Sequence, residues 1–105
     1  MPVEQAHIDQ AVAIAKEFGA TRVIVFGSAA HSPETANDLD IACAGVPPRN
    51  FYRMAGHLMT SLPVPVDVVA LEDNVHFARH VEATGRVVLG AESAPRVAEG
   101  AQLEG

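Results

Sequence analysis

The run "TRVIVF", residues 21–26, is β-branched and apolar without alternation. A strand with one wet face alternates apolar and polar residues; an uninterrupted one is covered on both faces. The chain has 105 residues, enough for one domain with a single modest core. A doubly covered strand in so short a chain calls for helices packed on a small sheet.

The neighbouring segments supply them. Glu4 to Phe18 reads as a helix, with Ile8, Ala11, Val12, Ala15 and Phe18 at helical spacing and Gly19 as its stop. Leu39 to Ala44 resumes as strand after a turn over residues 28 to 37, with one short helical turn starting at Ser28. "VPPRN" (46–50) reads as a loop ending in Asn50 as helix cap. Phe51, Met54, Ala55, Leu58, Met59 and Leu62 then follow i, i+3, i+4, i+7, i+8, i+11, the clearest helix in the chain, and the whole stripe is expected in the core. Pro63 and Pro65 end it, and Val64 to Leu71 reads as a third strand. Asp73 or Asn74 caps a last helix to about Thr84, with Phe77, Ala78 and Val81 inward. Gly85 closes that helix, and Arg86 to Leu89 is a short final strand. The pattern predicts an α/β domain over residues 1–90 with a small mixed sheet. Residues 91–105, rich in Ala, Glu and Gly, are expected to form a flexible tail.

Composition narrows the function classes. Seven basic against 13 acidic residues give a formal net charge of −6, which argues against a broad direct grip on nucleic acid. A small phosphate ligand held through a metal ion remains compatible. The single cysteine, Cys43, excludes an internal disulfide and fits a reduced core thiol in a cytoplasmic protein. No run approaches the ~18 apolar residues of a membrane span, and "MPVEQAHIDQ" lacks the features of a signal peptide.

The chemistry-bearing residues are three carboxylates and a turn. Asp38 and Asp40 are two apart where the strand resumes, so they share a face, with Cα atoms roughly 6.5–7 Å apart. Paired carboxylates repel unless one takes a proton or a cation sits between them. A hard divalent cation such as Mg²⁺ suits all-oxygen donors. Asp67 lies inside the apolar "PVPVDVVAL", where a lone carboxylate needs a cation, or an arginine such as Arg22 or Arg53. If that strand adjoins the first pair, three carboxylates and substrate phosphates could hold two Mg²⁺ about 3.5–4 Å apart, as in-line phosphoryl or nucleotidyl displacement requires. Gly27 and Ser28, at the strand end, offer close backbone approach and a hydroxyl donor to a phosphate.

This ordered set resembles the minimal nucleotidyltransferases (MNT) of the DNA polymerase beta superfamily, many of which act as antitoxins to HEPN toxins. "FGSAAH", "NDLDIA" and "VDVVAL" stand where that family has Gly-Ser, the Asp-x-Asp strand and the third Asp, and the likeness spans roughly residues 4 to 90. The resemblance implies transfer of a nucleoside monophosphate, AMP from ATP first among them, to a hydroxyl on a HEPN-type protein partner. Gly27 and Ser28 would contact the triphosphate. Asp38 and Asp40 would bind both metals, and Asp67 would complete the catalytic metal site and help activate the acceptor hydroxyl. The chain departs from the pattern in the turn. His31 and Ser32 stand where the family usually has Arg-Gly, the loop is about one residue short, and Asn37 replaces a Ser. A histidine is mostly neutral near pH 7 where an arginine is charged. Two further readings therefore stay open: a catalytically inactive antitoxin that neutralises its partner by complex formation alone, and a metal-stabilised α/β domain of another role. His76 and His80 have a zinc-compatible spacing without a third ligand nearby, so a solvated face is the simpler reading. His57 and Tyr52 are expected at the surface, and nothing in the spacing brings Lys16, Arg22 or Arg49 to a nucleotide.

Overall fold

Glu4 and Gly19 bracket the first helix, α1 (Gln5–Glu17), close to the expected bounds. At its start the Glu4 N–H donates to His7 Nδ1 at 3.0 Å. At its end Gly19 takes a left-handed φ of +107°. The structure is a computed structural model that describes residues 2–90; the tail expected over 91–105 lies outside the described residues. The remaining elements are β1 (Arg22–Phe26), α2 (Ser28–His31), β2 (Leu39–Ala44), α3 (Pro48–Ser61), β3 (Val66–Ala70), a 3-10 turn (Leu71–Asp73), α4 (Val75–Thr84) and β4 (Arg86–Leu89).

Two boundaries differ from the sequence expectation. α3 starts at Pro48 with Pro47 as its N-cap, so Asn50 lies inside the helix. Proline suits the first helical position because its missing N–H has no partner there anyway and its φ is already helical. β3 is shorter than expected: it begins at Val66, and Leu71 belongs to the 3-10 turn. The last helix is capped by Asn74, whose side-chain oxygen accepts from the Phe77 N–H at 3.0 Å.

The strands form one mixed sheet in the order β3-β2-β1-β4. β1 runs antiparallel to both β2 and β4, whereas β2 and β3 are parallel. Period-two alternation divides the core between the two faces. Val23, Val25, Leu39, Ile41 and Cys43 pack with Ile8, Ala15, Met54 and Leu58 on the face covered by α1 and α3. Ile24 and Ala42 pack with Leu71 and Val81 on the face covered by the 3-10 turn and α4. This explains the uninterrupted "TRVIVF": Val23, Ile24 and Val25 are each wholly buried, one face after the other.

One member of the expected α3 stripe fails. Met54 and Leu58 are fully buried, but Met59 is 64% exposed. It sits about 100° around the helix from Leu58, off the buried seam.

Candidate active site

The second sheet face, which carries Ile24 and Ala42, also carries two of the three carboxylates. The parallel register sets Asp40 of β2 directly against Asp67 of β3. Two residues along each strand on the same face stand Ala42 and Val69, both in the smaller core cluster. The same alternation that buries Ala42 thus brings the two acids side by side.

Asp40 is half-buried and Asp67 exposed. Their carboxyl groups are close enough to share a hydrogen bond. Asp40 is held above the usual carboxylate range, first by burial, then by the charges of Asp67 and Asp38, then by that hydrogen bond. Asp38 is exposed, in a bend one residue before β2 begins. It is therefore not a strand residue, yet its charge still reaches Asp40. Among the described residues none of the three acids has an ion-pair partner. Arg22, a possible partner for Asp67, is engaged elsewhere, with Nη1 2.7 Å from Glu82 Oε2.

Gly27 closes on this pair from β1. Its φ is +71°, and a Cβ built there would stand 2.5 Å from Asp40 Oδ2. Glycine is required twice over, by backbone conformation and by the carboxylate against it. Ser28 follows, exposed, as the first residue of α2, and His31 ends that short helix, also exposed. Gly27 and Asp40 are thus in direct apposition, with Ser28 adjoining and Asp67 across the strand pair.

Phe26 is the β1 partner of Asp40, and its ring meets Phe77 of α4 edge to face at 5.4 Å between centroids. This aromatic pair beside the carboxylates was not expected from sequence. Phe77 was readable only as an inward helix residue, and nothing in a linear pattern pairs it with Phe26. Cys43, on the opposite face, is a buried thiol pushed up to about 12 by burial and then by the Glu72 charge. His76 and His80 are both exposed on α4.

The donor set is chemically suited to a hard cation: carboxylate oxygens only, crowded enough to hold Asp40 above the usual carboxylate range. Among the described residues, no three His, Cys, Asp or Glu side chains form a group that could hold a metal ion as they stand. Further oxygen donors from outside the chain would be needed to complete a coordination shell. No helix among them is long and apolar enough to cross a membrane.

No protein-family model matches the sequence, and a search of curated proteins finds no match. Solved structures do match. A toxin–antitoxin complex of MntA and HepT aligns at TM-score 0.65 and 18% identity, over 84% of this chain and 74% of the other. An MNT antitoxin in complex with a tri-AMPylated HEPN toxin from Shewanella oneidensis aligns at TM-score 0.65 and 18% identity, over 83% and 72%. A toxin–antitoxin structure with AMP-PNP aligns at TM-score 0.67 and 20% identity, over 80% and 73%. The small mixed sheet with its packed helices is therefore the fold of the MNT nucleotidyltransferase structures.

Proposed function

We propose that this chain is a magnesium-dependent nucleotidyltransferase that moves AMP from ATP to a hydroxyl on a HEPN-type toxin, and so serves as the antitoxin of the pair. The observation that carries the reading is the apposition of Asp40 and Asp67 on paired strands with Gly27 closed against Asp40. An all-carboxylate cluster that raises one of its own members is a structural liability without a cation and a catalytic asset with one. The fold neighbours add weight, since one holds a tri-AMPylated HEPN toxin and another AMP-PNP.

Asp38, Asp40 and Asp67 would hold two Mg²⁺ together with the triphosphate oxygens, and the ions would neutralise charge on the phosphates and on the departing pyrophosphate. The chain's own residues do the rest. Gly27 offers a backbone that phosphate can approach closely, and Ser28 offers a hydroxyl donor. Asp67, the more exposed of the facing pair, accepts the proton of the acceptor hydroxyl. The hydroxyl oxygen forms a bond to the α-phosphorus as the α–β bridging P–O bond breaks, and pyrophosphate leaves. Asp40 is half-buried against Gly27, which leaves Asp67 the carboxylate of the facing pair more open to the acceptor hydroxyl.

His31 favours a second reading. Where the resembling family has a permanently charged Arg in the turn, this chain has His31, so neutralisation by contact alone deserves a direct comparison. Both are separated by one experiment. The chain is incubated with labelled ATP, Mg²⁺ and the product of the neighbouring gene, where that is a HEPN-type toxin, and label on that protein is measured together with toxin activity. Transfer by the wild type, reduced about 10²–10³-fold in Asp38→Asn, supports the enzyme. A stable complex without label, in which Asp38→Asn still neutralises the toxin, sinks it in favour of the binding module.

A further inference from the structure

The sheet has two edges, β3 and β4, and they are unlike. β4 has four residues, begins with the exposed Arg86, and its register with β1 slips between Val23 and Ile24. Short length, a charge and a bulge are the usual devices that stop an edge from pairing with another chain. β3 carries fewer of them: "VDVVA" has no basic residue and no proline, and its register with β2 is unbroken.

The backbone of β3 can be sorted by side. The Leu39 N–H donates to the Pro65 carbonyl at 2.9 Å, so Pro65 faces β2. In a parallel pair the N–H and C=O of one residue point to one side, and successive residues alternate. Asp67 and Val69 therefore bond to β2, while Val68 and Ala70 present their backbone groups outward; Val66 alternates with them but is buried. No turn, loop or side-chain hydrogen bond among the described residues reaches those outward groups.

Apolar clefts flank this open edge. One, of about 390 Å³, is walled by Phe51, Val69 and Phe77. The other, of about 340 Å³, is walled by Phe51 and the 83% exposed Tyr52. Ala70 and Asp73 border both, which makes the two one groove. Where the two clefts meet, Asp73 is exposed, with no ion-pair partner among the described residues. At the groove's near end Val69 shares a sheet face with Asp67.

We propose that this groove docks an extended segment of the acceptor protein, added as a strand along the outer edge of β3. Its backbone pairs with Val68, its apolar side chains enter the clefts at Phe51 and Phe77, and a lysine or arginine on it meets Asp73. The proposal rests on the transfer reading above and names where that reaction's acceptor binds. Charge selects the occupant. The chain carries −6, Asp73 lies within the groove and Asp67 stands beside it on β3, so a basic partner is favoured and a second copy is repelled. A nucleotide base could fill one cleft but has no use for a row of outward backbone groups, which a strand satisfies. A strand laid along β3 also passes Asp67, the group assigned to take the acceptor's proton.

Amide hydrogen exchange tests this on the chain alone and in complex with the HEPN-type toxin used in the transfer experiment above. The Val68 and Ala70 amides should exchange freely in the isolated chain and slow at least tenfold in the complex. Mg²⁺ with AMP-PNP should leave them free. Val68→Pro removes an outward N–H while the inward bonds of Asp67 and Val69 remain, and should weaken the complex at least tenfold; Asp73→Lys, a surface change that leaves the strand intact, should do the same. Wild-type affinity in both variants overturns the proposal, as does an unslowed edge in the complex. Protection in the isolated chain overturns it in favour of self-covering, and protection by AMP-PNP alone in favour of the nucleotide. Label transfer on the same samples separates the two readings: transfer with an open edge removes the docking mode only, whereas a protected edge without transfer removes the chemistry only.

Discussion

Gly27 and Asp40 show how closely one residue's identity can depend on another's. A Cβ at position 27 would stand 2.5 Å from Asp40 Oδ2, on a backbone whose φ of +71° already disfavours side chains. Gly27→Ala should therefore destabilise the fold by about 1–3 kcal/mol and displace the Asp40 carboxylate. Denaturant titration checks the first, and loss of Mg²⁺-dependent transfer the second. Asp40 itself carries a signed prediction. Its raised pKa means that the native state favours the protonated form. The associated stability is complete below the unfolded value, near 3.8, and is lost as pH rises through the folded value. At pH 7 without metal, Asp40→Asn should melt a few degrees above the wild type, and that gap should close as pH falls toward 4. A variant that melts below the wild type at pH 7 would contradict the crowding of charge at this site. Both residues were visible in the sequence as a glycine after a strand and an acid within one. That the first exists to make room for the second was not, because a 13-residue separation says nothing about which face of Gly27 is open.

At the level of elements, helical spacing located α1, α3 and α4 and apolar, β-branched runs located the strands among the described residues, whereas Leu71 of the 3-10 turn (Leu71–Asp73) reads in sequence as the end of a strand. Ends were less legible where local chemistry competes. Asn50 was a plausible cap, but Pro47 and Pro48 fix helical entry three residues earlier. Met59 fitted the apolar stripe of α3, yet a six-member stripe is wider than the seam that α3 buries. The consequence is measurable. Leu58→Ala, at a fully buried site, should cost about 2–5 kcal/mol, whereas Met59→Ala one residue later should stay within about 0.5 kcal/mol. Urea denaturation of the pair decides it, and equal losses would place Met59 in the core after all. The β2–β3 pairing is the step that sequence left conditional. Asp67 could be recognised as an acid that needed a reason, but only the register with Asp40 supplies one.

Across the whole molecule, the mixed sheet concentrates unfavourable charge at one end of one face and leaves the rest of that face to apolar residues and the Arg22–Glu82 ion pair. The α1 and α3 face is pure core, and α4 with the 3-10 turn covers the other face around Ile24 and Ala42. The carboxylates lie beside that cover, next to the Phe26–Phe77 pair, so the candidate site sits at the margin of the core rather than within it. It also implies that a bound cation and triphosphate should stabilise the whole fold. The described residues do not form a metal cage alone, so neither ligand should bind tightly by itself and the pair should bind together. A ligand at about 100 times its Kd adds about 2.7 kcal/mol to the folded state, which for a domain of this size raises Tm on the order of 10 °C. Mg²⁺ with AMP-PNP should reach that range in thermal melts, while either component alone gives a small part of it. Asp38→Asn and Asp67→Asn should each abolish most of the shift without lowering the metal-free Tm, because each removes a charge that repels Asp40. If the shift survives in both variants, the nucleotide binds elsewhere and the three acids have no common task.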